Sequence, residues 1–213
     1  MVPVAPKLSF KQQQLLLRED AILDAVNRLL AIKGFDLMTM DEVAAEVGIA
    51  KASLYKHFQS KDELAASSMT RLLERALAFI DALDRAKPAV EKLKALARWS
   101  IRMHIRREMP LLPSTRSTIQ HVLINHAPYA ERLSTLTEIM GGWILDAQQT
   151  RALSPALPAE VILYTIYARS CDPVADFLKM GGAFSDEEIV EHLITVTFDG
   201  LCGDPGTRVP RST

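Results

Sequence analysis

The sequence predicts an all-α fold of nine helices, and three observations carry that prediction. Apolar residues recur at spacings of three, four and seven along most of the 213-residue chain, and no stretch shows the sustained alternation of a half-buried strand. Three tetrads, TMDE from Thr39, SKDE from Ser60 and SDEE from Ser185, have the form of capping boxes, in which a hydroxyl and a carboxylate satisfy the free N–H groups of a helix start. Pro88, Pro113, Pro128 and Pro158 stand at or near where helical periodicity begins, as suits a residue that fits the first turn and breaks the interior.

The elements follow in order. The first helix runs from about Ser9 to Lys33 on Leu15, Ile22, Ala25, Val26, Leu29 and Leu30, and Gly34 stops it. Thr39 caps a short second helix that lasts through Val47 and ends at Gly48; a short third one spans about Ala50 to Phe58. SKDE, with Glu63 in the reciprocal position, starts a long fourth helix that Leu64, Leu72, Leu73, Phe79, Ile80 and Leu83 carry to about Ala86. Pro88 opens the fifth, through about Arg107; Pro113-Ser114 opens the sixth, through about Asn125. Pro128 opens the seventh, through about Leu153, and Pro158 the eighth, through about Met180. Pro173 lies inside the eighth and should kink it or split it after Asp172. SDEE starts the ninth, which ends near Gly203, and the polar, Pro/Gly-rich tail GDPGTRVPRST is expected to be disordered. The domains read as 1–60, an N-terminal arm and three-helix unit; 61–203, a larger helical domain; and 204–213, the tail.

A net charge of -1 and 48% hydrophobic residues suit an ordinary soluble protein and argue against a basic body that coats nucleic acid. No apolar run approaches the roughly 20 residues that cross a bilayer, and the start lacks the apolar stretch of a secretory leader. The expectation is a cytoplasmic protein with no membrane partner. Cys171 and Cys202 are far apart and lack metal-ligand spacing, so they read as free thiols, and neither a metal nor a cofactor is expected.

The segment GIAKASLYKHF, residues 48–58, carries the chemistry. Two short helices joined by a tight turn at Gly48, with Val43, Ala44, Val47, Ile49 and Leu54 spaced to pack them, have the pattern of a helix-turn-helix, whose second helix enters the major groove. With Leu54 and Phe58 facing inward, Lys51, Ser53, Tyr55 and Lys56 are left on the outer and flanking surfaces. Lysine can donate to guanine or pair with phosphate, and the Ser and Tyr hydroxyls can reach phosphate oxygens. Ala52 is small enough to let the helix approach and to touch a thymine methyl.

From Ile22 to Leu64 the chain reads ILDAVNRLLAIKGFDLMTMDEVAAEVGIAKASLYKHFQSKDEL. This resembles the DNA-binding domain of the TetR (tetracycline repressor) family of bacterial transcription regulators: an alanine-containing first helix, GF at 34 and 35, a threonine cap, LYKHF in the recognition helix and KDEL at the start of helix four. Ala50 departs from the family's usual Ser or Thr cap. The resemblance implies a nine-helix TetR-like fold, with a C-terminal domain that binds a small-molecule effector and dimerises, and a repressor released from a palindromic double-stranded operator. It places Tyr55, His57 and Lys61 on the DNA backbone, adds a phosphate contact from Thr39, and sets Lys51, Ala52 and Ser53 nearest the bases.

In the C-terminal part, Trp99, Met103, His104, His121, Asn125, Met140 and Trp143 are the candidate effector contacts, since such pockets are apolar with a few placed polar groups. Arg102, Arg106 and Arg107 could attract an anion, though a basic run at a helix end also complements the dipole. The eighth and ninth helices are apolar on more than one face, and the resemblance implies a homodimer paired through them, with Val161, Thr165, Ala168, Ile189, Leu193 and Val196 as the candidate seam. His104, His121 and His126 with Glu108 or Glu131 could be assembled into an acid/base or metal site, but no catalytic motif supports an enzyme. A helical sensor or interaction module without DNA binding is the remaining alternative.

Overall fold

The computed structural model describes residues 9–109 and 119–201. The helices are α1 (Phe10–Leu37), α2 (Met40–Val47), α3 (Lys51–His57), α4 (Lys61–Asp81), α5 (Ala89–Ile105), α6 (Ile119–Ile124), α7 (Ala127–Gln149), α8 (Ala159–Ala168), α9 (Pro173–Gly181) and α10 (Asp186–Phe198). A single 3-10 turn, Arg169–Cys171, lies between α8 and α9. The predicted eighth helix divides where Pro173 forbids its continuation: Asp172 turns extended and accepts from the Val174 N–H, so that Pro173 becomes the first residue of a new helix. The predicted start of the sixth helix at Pro113-Ser114, Cys202 and the tail from 204 lie outside the described residues, whereas the last helix ends at Phe198 with Asp199 as its C-cap, short of the predicted end near Gly203.

Capping behaves largely as the tetrads predict. Thr39 and Ser185 each form a complete box with Glu42 and Glu188, and Ser9 forms another with Gln12. Ser60 accepts from the Glu63 N–H, but the Glu63 carboxylate accepts from the Gln59 N–H at 2.7 Å instead of returning to Ser60. Gly34 interrupts α1 with φ 74 and ψ 175, a conformation essentially confined to glycine. The break swings Phe35 and Met38 into the core.

The described residues form two compact units, one drawn from 1–82 and 106–138 and the other from 83–105 and 139–213. The core of the first unit joins α1 (Ile22, Val26, Leu30), α2 (Val43), α3 (Leu54), α4 (Leu64, Met69) and α6 (Ile119, Leu123). Asn27 and Ser68 are buried there and hydrogen-bonded to each other, which removes the cost of two unsatisfied polar side chains.

In the second unit α10 packs along α5 through Ile189, Leu193 and Leu93, all essentially inaccessible to solvent. Two bidentate pairs flank that seam. Arg98 donates to Glu191 at 2.7 and 2.9 Å, and Arg102 donates to Glu187 at 3.0 and 2.7 Å. Because Arg98/Arg102 and Glu187/Glu191 each repeat at four residues, the forks stack along the two helices and set their register. Arg102 is therefore occupied structurally and does not serve as a free anion-binding group.

Candidate nucleic-acid interface

α3 has seven residues, too few for a stable isolated helix, so it exists because it docks. Leu54 is its one buried residue, at 0% exposure, and Phe58 closes the helix and is buried beside it in the same core. Gly48 makes the turn possible: at φ 73 and ψ 34 it occupies the left-handed region, and its N–H bonds back to the carbonyls of Ala44 and Ala45. Ala50 caps α3 without a side-chain hydrogen bond, as its departure from Ser or Thr implies.

With Leu54 anchored, Lys51, Ala52, Tyr55 and Lys56 are exposed and Ser53 is half-buried. This is a basic, hydroxyl-bearing surface on one short helix. Its side chains are not all free. The Lys51 ammonium donates to the Asp41 carboxylate of α2 at 2.8 Å, and that hydrogen bond holds the lysine pKa above its ordinary value.

His57 departs from the expected backbone contact. Its side chain is 6% exposed and its Nδ1 lies 3.3 Å from the Glu19 carboxylate of α1, so it ties the end of α3 to α1 and does not face outward. Thr39 is exposed, but its N–H and hydroxyl both reach the Glu42 carboxylate, at 3.1 and 3.0 Å; a phosphate would have to displace that carboxylate. Glu42 is held below the usual carboxylate range, first by its hydrogen bond from Lys33 and then by Thr39. The Lys61 ammonium sits 4.4 Å from the centre of the Phe35 ring and donates to the Asp36 carbonyl, which fixes it in the first turn of α4 beside free N–H groups that favour an anion.

Sequence reasoning missed Asp41 and Glu19, and it foresaw Glu42 as a cap but not its partner Lys33. Nothing local pairs Asp41 with a lysine ten residues on or Glu19 with a histidine 38 residues on.

The other predicted residues separate. Trp99, Met103 and His104 on α5 and Met140 and Trp143 on α7 all belong to the second unit. Met103, His104 and Met140 are buried, while the two tryptophans are half-buried, and Lys92 lies over the Trp143 ring. His104 is 2% exposed, with Nε2 3.4 Å from the Asp176 carboxylate. His121 is exposed on α6 and Asn125 is exposed in the turn directly after it, both in the first unit, and the Asn125 amide donates to the His121 carbonyl. Asn125 thus caps a short helix, and neither residue is grouped with the other five.

Of the seam residues, Val161, Thr165 and Ala168 form an exposed stripe on α8 together with Tyr164, and Val196 is exposed on α10. Ile189 and Leu193 face α5 inside their own unit, at 0% and 3% exposure. An apolar helix with two usable faces gives no local sign of which one its own chain covers, and here α5 takes the face with Ile189 and Leu193. Among the described residues no group of three or more His, Cys, Asp or Glu could hold a metal, and no helix is long and apolar enough to cross a membrane.

Residues 22–67 match the profile of the family described as "Bacterial regulatory proteins, tetR family". The biofilm operon icaADBC negative transcriptional regulator IcaR of Staphylococcus epidermidis is 34% identical over 62 residues, 29% of this chain and 34% of that protein. The chain thus spans about a third of the curated relative it matches. Over nearly its full length it resembles the fatty acid degradation regulator FadR of Bacillus halodurans, with TM-score 0.66, 16% identity and coverage of 92% and 98% of the two chains. AibR, solved with isovaleryl coenzyme A and operator DNA, gives TM-score 0.61 at 22% identity over 85% of this chain and 98% of that one. At these identities the likeness establishes a shared all-helical fold.

Proposed function

We propose that this chain, a TetR-family protein by its DNA-binding domain and its fold, is a homodimeric transcription repressor that leaves a palindromic operator when a small molecule binds. One observation carries the reading. A helix too short to stand alone is held by Leu54 and Phe58 so that Lys51, Ala52, Tyr55 and Lys56 face outward, which is what a recognition helix in a major groove requires. Lys51, Ala52 and Ser53 address bases. Tyr55, Lys56 and Lys61 address phosphates, and Thr39 does so once Glu42 yields. His57 acts through Glu19 as a brace.

The DNA-binding part is residues 1–60, and residues 61–203 serve ligand and partner. The second copy meets the stripe Val161, Tyr164, Thr165 and Ala168 with Val196. Trp99, Met103, His104, Met140 and Trp143 contact the effector. The IcaR match supports repression, and the AibR complex makes acyl-coenzyme A thioesters the first compounds to test. The reading calls for no catalytic step, and its setting is the bacterial cytoplasm.

Selection of duplexes from a random pool by the full chain tests the reading. The expected product is a palindrome whose half-sites lie one helical turn, about 34–36 Å, or a multiple of it apart. A protein that enriches no palindrome at low salt is instead a helical sensor or interaction module. Isovaleryl coenzyme A is then titrated against the complex. Release of DNA accompanied by a change in fluorescence of Trp99 or Trp143, tested with each Trp→Phe variant, assigns the effector contacts. Ligand and DNA must weaken each other by the same factor.

A further inference from the structure

We propose that Asp41 is a specificity-determining residue of the DNA contact: its carboxylate holds the Lys51 ammonium and makes that lysine available to a base edge in preference to a phosphate. The inference rests on the DNA-binding reading and concerns an acidic residue that this reading leaves without a role.

Asp41 lies in the first turn of α2 and Lys51 is the first residue of α3. The two side chains meet at 2.8 Å with 70% and 49% of their surfaces exposed. A pair so open to water is weak and exchanges readily, so it does not hold the fold together; Leu54, Gly48 and the Thr39 cap already do that. What it does is set the charge of the outward surface. With Asp41 in contact, Lys51 offers DNA a neutral pair instead of a cation.

The consequence differs between duplexes. On an arbitrary sequence, Lys51 can gain only a phosphate, and it must give up Asp41 to do so, leaving a carboxylate facing a polyanion. On the right sequence, guanine O6 and N7 offer two acceptors in the groove. An ammonium has three protons and can keep Asp41 on one of them. Asp41 therefore costs non-specific binding more than specific binding, which is how a repulsive element raises discrimination.

The experiment uses the full-length protein and two duplexes of equal length, the selected palindrome and its scrambled form. Binding is followed by anisotropy across a salt series for wild type, Asp41→Asn, Lys51→Met and the double variant. In Asp41→Asn, affinity for the scrambled duplex should rise on the order of tenfold. The slope of log K against log salt should steepen by about 0.9 for each freed lysine. The palindrome should gain much less, so the specificity ratio falls. In the Lys51→Met background the same change should act equally on both duplexes, and Asp41→Glu should restore discrimination. The inference is overturned if Asp41→Asn strengthens both duplexes alike, weakens the scrambled one, or has the same effect with and without Lys51. Wild type that binds neither duplex overturns the DNA-binding reading itself, which separates the two failures. Helix content of Asp41→Asn, read by circular dichroism, should match wild type.

Discussion

Leu54→Ala tests how far α3 depends on its one buried side chain for its place in the fold. Leu54 is 0% exposed and is the one residue of the seven-residue α3 that is buried. It shares a core cluster with residues of α1, α2, α4 and α6, whose packing on one another limits collapse into the gap. A rigid cavity of this kind costs about 2–5 kcal/mol for Leu→Ala, and the upper half of that range is expected here. The cost falls on a helix that also lacks a side-chain N-cap, so α3 should loosen before the unit unfolds as a whole. Urea denaturation followed by circular dichroism should show a lower midpoint. Amide exchange should show α3 unprotected while α1 and α4 remain protected, and operator binding should be lost below the global transition. A variant within about 0.5 kcal/mol of wild type, the range of changes that touch no such feature, with normal DNA binding, would refute the anchoring role of Leu54.

Four further outcomes follow from the same geometry. Ala50→Ser should supply the missing acceptor at the α3 start and stabilise the protein by about 0.5–1 kcal/mol in the same urea assay. Ala168→Arg should give folded monomers in sedimentation, because the residue is exposed on α8. Leu193→Glu, by contrast, should lower the melting temperature sharply, because its charge would be buried against α5. Acidification should destabilise the protein through Glu42 and Glu191, which Lys33 and Arg98 hold below the ordinary carboxylate value of 4.5. Each contributes stability that is present above the unfolded pKa and lost as pH falls through the depressed folded one. Glu191→Gln should flatten the decline of melting temperature below about pH 4.5, with an effect kept small by solvent screening of an exposed pair.

Helix starts were legible in the sequence because they are local. Thr39 and Glu42, or Ser185 and Glu188, are three residues apart and satisfy each other wherever the chain goes. The stop at Gly34, the turn at Gly48 and the division at Pro173 were legible for the same reason, since each follows from what one residue's backbone permits. The inward pair Leu54 and Phe58 was legible as well, because a helix that short has room for one buried stripe.

Partner choice was not. Whether Lys51 met water, DNA or Asp41, whether His57 faced outward or lay against Glu19, and whether Arg102 awaited an anion or gripped Glu187 85 residues away depended on which helices came to lie side by side. The same holds for α10, whose sequence offers apolar residues on two faces. Only the packing of α5 on one of them turned Ile189 and Leu193 into core and left Val196 outside. Backbone hydrogen bonds and turn geometry act over three or four residues and are written in order along the chain. The contacts of long charged side chains and the covering of an apolar face act across space, and they are decided when the tertiary structure closes.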